Sequence, residues 1–309
     1  MEKEIRGVVA VLSTPFDEDE SLVHEDIKRQ VEAAIVFDIS AVCLPAYASE
    51  FYKLSGKERL AVVKTAVDAS GGRIAVAGQS NHPSARQAVS LAKGNQDAGA
   101  DLISFAIPRQ FGAYENDILD YCSTICNAVN VPVLVQDFNP GGATVGPEFC
   151  RKLMDRCSNF RYIKLEEPLL GPKLRAIREA TEDGVGVLEG WGGMYMPELL
   201  ESGIAGVMPG LGHADVMKRI WDLGTSGDMP GAMDVFDSVL AQIVFSLQNM
   251  ELYLRIEKQL LEMRKIIRNT GVRSLSLSPD LETETHGRRL NERVLALVEQ
   301  LGFQKHPVA

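Results

Sequence analysis

The chain has 309 residues, of which 45% are hydrophobic and 24% charged, a balance typical of a globular protein with a substantial core. Its net charge is −10, from 32 basic and 42 acidic residues. An acidic chain without a basic run is a poor candidate for binding nucleic acid or an anionic membrane, and a better one for a metabolic role on a small molecule.

The N-terminal stretch MEKEIRGVVAVLSTPF has acidic residues near its start and an apolar run too short for a signal peptide. No later apolar stretch approaches the roughly 18 residues that span a bilayer. We therefore expect a cytoplasmic protein that does not associate with membranes. The five cysteines, at positions 43, 122, 126, 150 and 157, show neither CxxC spacing nor a nearby histidine pair, so we expect free buried thiols and no metal centre.

Short apolar runs alternate with amphipathic helical segments over most of the chain. The predicted strands are Gly7 to Leu12, Ala41 to Leu44, Arg73 to Ala77, Leu102 to Phe105, Pro132 to Gln136, Tyr162 to Leu165, Val185 to Leu188 and Ile204 to Met208. Eight strand-then-helix units predict an α/β fold, a parallel sheet closed into a (β/α)8 TIM barrel. An open doubly wound sheet is the alternative, but no GxGxxG follows the first strand.

The strand pattern stops after about residue 225, and the rest of the chain predicts helices interrupted by the loop SLSLSPD. We expect residues 1–225 to form the barrel. Residues 226–309 then form a helical extension, packed on the barrel or at a subunit contact rather than folded as an independent domain.

The stretch RYIKLEEP, residues 161–168, places a lysine in an otherwise buried strand. Residues two apart share a strand face, so Lys164 is expected to point into the barrel with Tyr162 and Glu166. Burial favours the neutral amine, which is the nucleophile that condenses with a ketone to form a Schiff base. The structural alternative is that Lys164 leaves the barrel interior or pairs with Glu166 or Glu167.

The loop after the second strand, LPAYASEFYKLSGKER, brings small residues together around Tyr47. Small side chains let consecutive backbone N–H groups approach an anion, so this loop is a candidate carboxylate site, although an ordinary turn has the same composition. The candidate residues are Tyr47, Ala48, Ser49 and Glu50.

Together these features resemble the dihydrodipicolinate synthase / N-acetylneuraminate lyase family of class I lyases, over nearly the whole chain. The resemblance rests on the strand-six lysine, the small-residue loop ending in Glu50, the segment VVAVLSTPF and the helical tail. It implies a homo-oligomer, generally a tetramer, in which Lys164 forms an imine with a 2-oxo acid and residues 47–49 hold the substrate carboxylate. It implies no metal and no other cofactor.

Two departures from the family pattern bear on the reaction. The family loop usually reads GTTGE, whereas this chain has AYASE and so lacks both threonine hydroxyls. The family's strand-five tyrosine is replaced by Gln136, whose amide does not titrate and cannot relay protons as an acid. These changes argue against dihydrodipicolinate synthesis.

A narrower resemblance connects VQD, YIKLEEPLLGPKL, EGWGGMYMPELL and GIAGVMPG to the branch containing 2-keto-3-deoxy-L-arabinonate dehydratase. For a sugar acid, further polar and apolar contacts at the strand ends are expected, and the candidates are Asp137, Glu189, Trp191 and Met208. We therefore expect a lyase that dehydrates a 2-keto-3-deoxy sugar acid, with Lys164, Gln136 and Tyr47 at the reaction centre. Retro-aldol cleavage to pyruvate, pyruvate condensation as in 4-hydroxy-tetrahydrodipicolinate synthase, and a non-catalytic metabolite-binding barrel are the alternatives.

Overall fold

Eight parallel strands form a closed barrel in the computed structural model, which describes residues 4–110, 112–139 and 142–308. The strands are Gly7–Val11 (β1), Ala41–Leu44 (β2), Ala75–Gln79 (β3), Leu102–Ala106 (β4), Val133–Asp137 (β5), Phe160–Leu165 (β6), Gly186–Glu189 (β7) and Gly206–Val207 (β8). Each strand pairs with the next in the chain, and β8 pairs with β1 to close the barrel. The predicted TIM barrel is confirmed.

Helices follow the strands and surround the barrel. They are His24–Val36 (α1), Gly56–Ser70 (α2), Ala85–Asp97 (α3), Glu115–Cys126 (α4), Pro147–Arg156 (α5), Leu170–Ala180 (α6), Met196–Leu200 (α7) and Ala214–Thr225 (α8). The start of α2 shows how local sequence fixes these boundaries: Ser55 Oγ accepts the Glu58 N–H, and the Glu58 carboxylate accepts the Ser55 N–H.

Three helices form the C-terminal extension, namely Met229–Ser246 (α9), Met250–Met263 (α10) and Leu281–Gln300 (α11). The sequence NMELYLRIEKQLLEMRKIIRN, residues 249–269, reads as one helix, but α10 ends at Met263 because Lys265 takes a left-handed conformation with φ of 55°. Residues 1–3 and 309, the outermost parts of the predicted barrel and extension, lie outside the described residues. Within the described residues, no helix is long and apolar enough to cross a membrane.

Alternation along the strands produces two separate cores. In β6, Ile163 and Leu165 belong to the large core between the strands and the helices. Tyr162 packs against the smaller core inside the barrel, which includes Val9 and Leu134. This is the alternation predicted from RYIKLEEP, and it directs the next inward position, Lys164, toward the C-terminal end of the barrel.

The strand boundaries agree with the prediction to within two residues, and β3 shows the largest shift in position. It begins at Ala75 instead of Arg73 and continues through Gln79. Arg73 lies in the preceding turn, where its guanidinium donates to Ser70 O and pairs with Glu32. The shift matters for the site, because it places the Gln79 side chain at the inner C-terminal end of the barrel.

The extension is attached to the barrel by buried ion pairs. Lys258 on α10 lies 2.6 Å from Glu50 after β2, and both side chains are fully buried. Arg264 donates two hydrogen bonds to Asp215 at the start of α8, at 2.9 and 2.7 Å. Because these pairs connect α10 to the C-terminal ends of the strands, the extension forms part of the surface around the barrel mouth.

Candidate active site

A cavity lies at the C-terminal ends of the strands, where TIM barrels place their reactive groups. Its lining comes from both the strand ends and the C-terminal extension. The lining residues are Val11, Ala46, Tyr47, Ala48, Gln136, Phe138, Lys164, Glu166, Gly190, Gly192, Met208, Leu247, Met250 and Tyr253. Five residues of the predicted site are therefore brought together here: Lys164, Gln136, Tyr47, Ala48 and Met208.

Lys164 is buried at the inner end of β6 and faces a carboxylate. Its Nζ lies 3.0 Å from Glu166 Oε1, and the two side chains are 7% and 9% exposed. The pairing that the sequence left as a structural alternative is thus present, but it occurs inside the cavity. Lys164 and Glu166 form an acid–base pair at the place where a substrate carbonyl would approach.

Gln136 fixes the orientation of Glu166 through a chain of side-chain amides. Gln136 Nε2 donates to Glu166 Oε1 at 2.5 Å, and Gln79 Nε2 donates to Gln136 Oε1 at 2.9 Å. Gln79 Nε2 also donates to Asn81 Oδ1, which accepts the Ala106 N–H. This chain fixes which end of the Gln136 amide faces the carboxylate, so Gln136 acts as a hydrogen-bond donor to Glu166.

Gly190, directly after β7, makes room for the Lys164–Glu166 pair. A Cβ at this position would lie 2.3 Å from Glu166 Cγ and 2.6 Å from Lys164 Cε. Since real Cβ atoms do not approach other carbons this closely, any larger residue would displace one of the two side chains. The glycine-rich loop after β7 therefore serves close packing against the reactive pair.

The loop after β2 forms a short 3-10 turn over Tyr47–Ser49. Ser49 does not face the cavity as a donor: its Oγ donates to Leu12 O at 2.5 Å and accepts the Ala46 N–H, and its own N–H donates to Ala46 O. The Ser49 N–H and hydroxyl are thus already hydrogen-bonded, and the carboxylate site stays a prediction for the N–H groups of Tyr47 and Ala48. The Tyr47 ring packs edge-on against Phe51, and burial together with the charge of Glu166 raises the pKa of its hydroxyl.

Glu50 and Asp137, both predicted as substrate ligands, have charged partners outside the cavity. The Glu50 carboxylate pairs with Lys258 and with Lys53, at 2.6 and 3.1 Å. Asp137 accepts two hydrogen bonds from Arg109, at 2.8 and 2.6 Å. The structure does not bring these two carboxylates to the cavity wall.

Glu189 and Trp191 lie behind the cavity wall and contact residues that line the cavity. The fully buried Glu189 carboxylate accepts the N–H groups of Trp191 and Gly193, at 3.0 and 2.7 Å. Burial raises the pKa of Glu189 to about 7 despite these two hydrogen bonds. The Trp191 ring packs edge-on against Phe138, which lines the cavity. Both predicted residues thus lie next to the cavity, with Glu189 holding the loop that contains Gly192.

Sequence reasoning missed the contribution of the C-terminal extension to this cavity. Leu247, Met250 and Tyr253 line it from the end of α9 and the start of α10. One turn further along α10, Glu257 accepts the Gly212 N–H at 2.7 Å, and burial raises its pKa to about 7. A signal in the sequence is the spacing of Glu257, which follows Tyr253 by four residues and precedes Leu260 by three, so that a carboxylate falls in the apolar stripe of the helix.

The described residues contain no group of three or more histidine, cysteine, aspartate or glutamate side chains arranged to hold a metal ion. All five cysteines are free and buried. The expectation of a reaction without a cofactor stays a prediction.

The chain has the architecture of a TIM-barrel enzyme. It is a closed (β/α)8 barrel with a buried lysine–glutamate pair among the C-terminal ends of its strands. The chain belongs to the dihydrodipicolinate synthetase family, whose model matches residues 4–286. This confirms the family resemblance deduced from the sequence and identifies the chain as an enzyme of a family of lyases and synthases.

Individual relatives carry two different activities. The chain is 25% identical over 227 residues to an L-2-keto-3-deoxyarabonate dehydratase of Azospirillum brasilense, covering 72% of this chain and 73% of the relative. It is also 25% identical over 240 residues to a 4-hydroxy-tetrahydrodipicolinate synthase of Methanopyrus kandleri, covering 77% and 80%. The crystal structure of dihydrodipicolinate synthase from Rhodopseudomonas palustris superimposes with a TM-score of 0.88 at 22% identity, covering 95% of this chain and 99% of that one. Membership of the family therefore does not by itself specify the substrate of this chain.

Proposed function

We propose that this protein is a lyase that forms a Schiff base between Lys164 and a 2-oxo acid, and that it dehydrates a 2-keto-3-deoxy sugar acid such as 2-keto-3-deoxy-L-arabinonate. The observation that carries the proposal is the 3.0 Å contact between Lys164 Nζ and Glu166 Oε1 inside the cavity. Transfer of one proton across this contact leaves a neutral amine, which attacks C2 of the substrate. The adduct then loses its C2 hydroxyl, which leaves as water with the proton held by Glu166, and this gives the iminium beside a Glu166 carboxylate.

Glu166 is the base that the reaction needs next. The iminium withdraws electrons from C3, so a carboxylate beside it removes a C3 proton and produces the enamine. Glu50, the carboxylate predicted in the loop after β2, pairs with Lys258 outside the cavity and does not take this role. Gln136, in the place of the family's tyrosine, donates to Glu166 and holds it beside Lys164.

The elimination balances with these groups alone. The enamine nitrogen returns its electron pair to the carbon chain, the bond between C4 and its hydroxyl breaks, and the proton on Glu166 leaves with the hydroxide as water. Glu166 is then a carboxylate again, and addition of one water to the remaining iminium releases the dehydrated 2-oxo acid and the Lys164 ammonium. Lys164 and Glu166 thus return to their starting charges, the substrate has lost one water, and no external oxidant or reductant takes part.

Two features favour dehydration over pyruvate condensation. The family's proton-relaying tyrosine is replaced by Gln136, and a carboxylate that removes and returns one proton is sufficient for loss of water. The 2-keto-3-deoxyarabonate dehydratase relative also supports a sugar-acid substrate. Trp191 and Phe138 provide an aromatic wall next to the cavity, suited to the carbon face of such a substrate.

The reaction type is tested by the fate of the substrate carbons. Purified protein is incubated with 2-keto-3-deoxy-L-arabinonate, and the products are identified by mass spectrometry and by a pyruvate assay. We expect one product that keeps all the carbons and has lost one water, and none from Lys164→Ala. Stoichiometric release of pyruvate would instead establish retro-aldol cleavage and overturn the proposed reaction.

A further inference from the structure

The proposed substrate carries a C1 carboxylate, and the chain has lost the side-chain donors expected to bind it. The turn after β2 has alanine and tyrosine where threonine hydroxyls are usual, and Ser49 is hydrogen-bonded to Leu12 O. The N–H groups of Tyr47 and Ala48 are two candidate donors at the cavity wall. A carboxylate has room for about four hydrogen bonds, so two backbone donors leave it incompletely satisfied.

Helix α10 adds one polar side chain to the cavity, that of Tyr253. The lining residues Val11, Ala46 and Met208 are apolar. Helix α10 packs directly on the turn Tyr47–Ser49 and on the turn that follows β8. Tyr253 therefore brings a hydroxyl from the extension to the same side of the cavity as the backbone donors.

The position of that hydroxyl is fixed by its contact with Gly210. A Cβ on Gly210 would lie 2.3 Å from Tyr253 Oη and 2.6 Å from Glu257 Cδ, so the phenol and the Glu257 carboxyl group together fill the space that a side chain would take after β8. The Tyr253 side chain is 7% exposed, and burial, with a smaller effect of the Glu257 charge, raises the pKa of the hydroxyl well above its ordinary value. The Tyr253 hydroxyl is therefore a protonated hydrogen-bond donor, and it occupies the space that the absence of a side chain at Gly210 leaves free.

We infer that the Tyr253 hydroxyl binds the C1 carboxylate of the 2-oxo acid, together with the N–H groups of Tyr47 and Ala48. The Tyr253 hydroxyl, which belongs to a different segment of the chain, thus replaces the threonine hydroxyls that the loop lacks. This inference rests on the proposed function, because it assumes that a 2-oxo acid reacts at Lys164. It assigns Tyr253 to substrate binding and to the preference for acids over neutral ketones.

The test compares a charged and a neutral probe at the same lysine. Wild type and Tyr253→Phe are reduced with borohydride in the presence of pyruvate or its methyl ester, and covalent labelling is followed by mass spectrometry over a range of probe concentrations. A hydrogen bond to a carboxylate contributes about 1.5–3 kcal/mol, so we expect Tyr253→Phe to need about 10- to 100-fold more pyruvate for half-maximal labelling. Labelling by methyl pyruvate should match the wild type, because it has no anion to bind.

Two further variants separate this role from a structural one. Gly210→Ala keeps the phenol but displaces its hydroxyl and the Glu257 carboxyl group beside it, and φ of −68° at Gly210 suits alanine, so labelling by pyruvate should again fall more than labelling by methyl pyruvate. Tyr162→Phe removes a hydroxyl that accepts the Ile5 N–H at the opposite end of the barrel, and it should leave both probes unchanged.

Each remaining outcome has a distinct meaning. An equal loss with both probes, or an unchanged pyruvate requirement in Tyr253→Phe, would overturn the inference. Absence of labelling in the wild-type protein with either probe would overturn the Schiff-base proposal itself.

Discussion

Lys164 Nζ and Glu166 Oε1 are 3.0 Å apart in a buried cavity, and Gln136 donates to the same carboxylate oxygen. This arrangement gives one residue pair two tasks. In the proposed reaction, the carboxylate first accepts the proton of the Lys164 ammonium and later accepts the C3 proton of the substrate. The predictions below follow from this pair and from the buried ion pairs that support its surroundings.

Removing the base should stop turnover without removing the nucleophile. We expect Glu166→Gln to lower kcat by about 10²- to 10⁴-fold, the usual contribution of a positioned acid or base. The neighbouring Glu167 is the matched control, because it pairs with Lys173 at 2.6 Å and accepts from Thr144 outside the cavity. Steady-state kinetics with 2-keto-3-deoxy-L-arabinonate that showed similar losses for Glu166→Gln and Glu167→Gln would contradict the assignment.

Filling the space beside the pair should also abolish activity. Gly190→Ala would place a methyl group within 2.6 Å of carbons in both Glu166 and Lys164, so at least one side chain must leave its position. We expect a large fall in kcat while circular dichroism reports an intact fold. Gly146→Ala is the control, since a Cβ there meets nothing within 4 Å, and it should behave as the wild type. Near-normal activity in Gly190→Ala would show that the pair need not keep this geometry.

Breaking the ion pair beneath the β2 loop should cost stability. Lys258→Met leaves the buried Glu50 carboxylate with Lys53 as its remaining lysine partner. Loss of one partner of a buried ion pair lowers the free energy of unfolding by about 3–5 kcal/mol. Lys64→Met, which breaks an exposed pair with Asp68, should change the free energy of unfolding by less than about 1 kcal/mol. Urea unfolding of both variants makes the comparison, and similar small effects would mean that the Lys258–Glu50 pair does not hold α10 to the barrel.

The buried Glu257 should make stability depend on pH in a defined direction. Burial raises its pKa from 4.5 to about 7, although the charge of Arg264 acts in the opposite sense. Between these two values the folded state holds a proton that the unfolded state releases. The contribution of Glu257 is therefore fully present below about pH 4.5, is lost as the pH rises through 7, and amounts to about 3 kcal/mol.

Glu257→Gln isolates this contribution, because glutamine does not titrate. Relative to the wild type, the variant should become more stable as the pH rises from 4.5 to 7, and the difference should be constant above that range. Burial also raises the pKa of Glu189 to about 7 and lowers that of His213 to about 4, but both residues are present in both proteins, so their contributions cancel in the difference. Urea unfolding across this range checks the prediction, and a difference independent of pH would contradict it.

The barrel and the position of Lys164 could be predicted from the sequence because both depend on local periodicity. Strands of period two, separated by amphipathic helices, specify the fold, and the same period sets the direction of Lys164 on β6. The amide chain behind Gln136 was not foreseen, since the predicted third strand ended at Ala77, two residues before Gln79.

The roles of Glu50 and Tyr253 could not be deduced from local patterns. Glu50 lies in a loop whose composition predicts substrate binding, yet its partner Lys258 is 208 residues away in the chain. Tyr253 lies in a helix that reads only as part of an extension. Which helix face meets the barrel mouth depends on tertiary packing, and no short-range sequence signal records it.

The central claim, that Lys164 forms an imine with a 2-oxo acid, is tested most directly by trapping it. Borohydride is added to the protein with pyruvate or 2-keto-3-deoxy-L-arabinonate, and the mass of the intact chain is measured before a digest locates the label. We expect one covalent increment at Lys164 in the wild type, and none in Lys164→Ala or without the 2-oxo acid. An unlabelled wild-type chain across a panel of 2-oxo acids, or a label that persists in Lys164→Ala, would contradict the account.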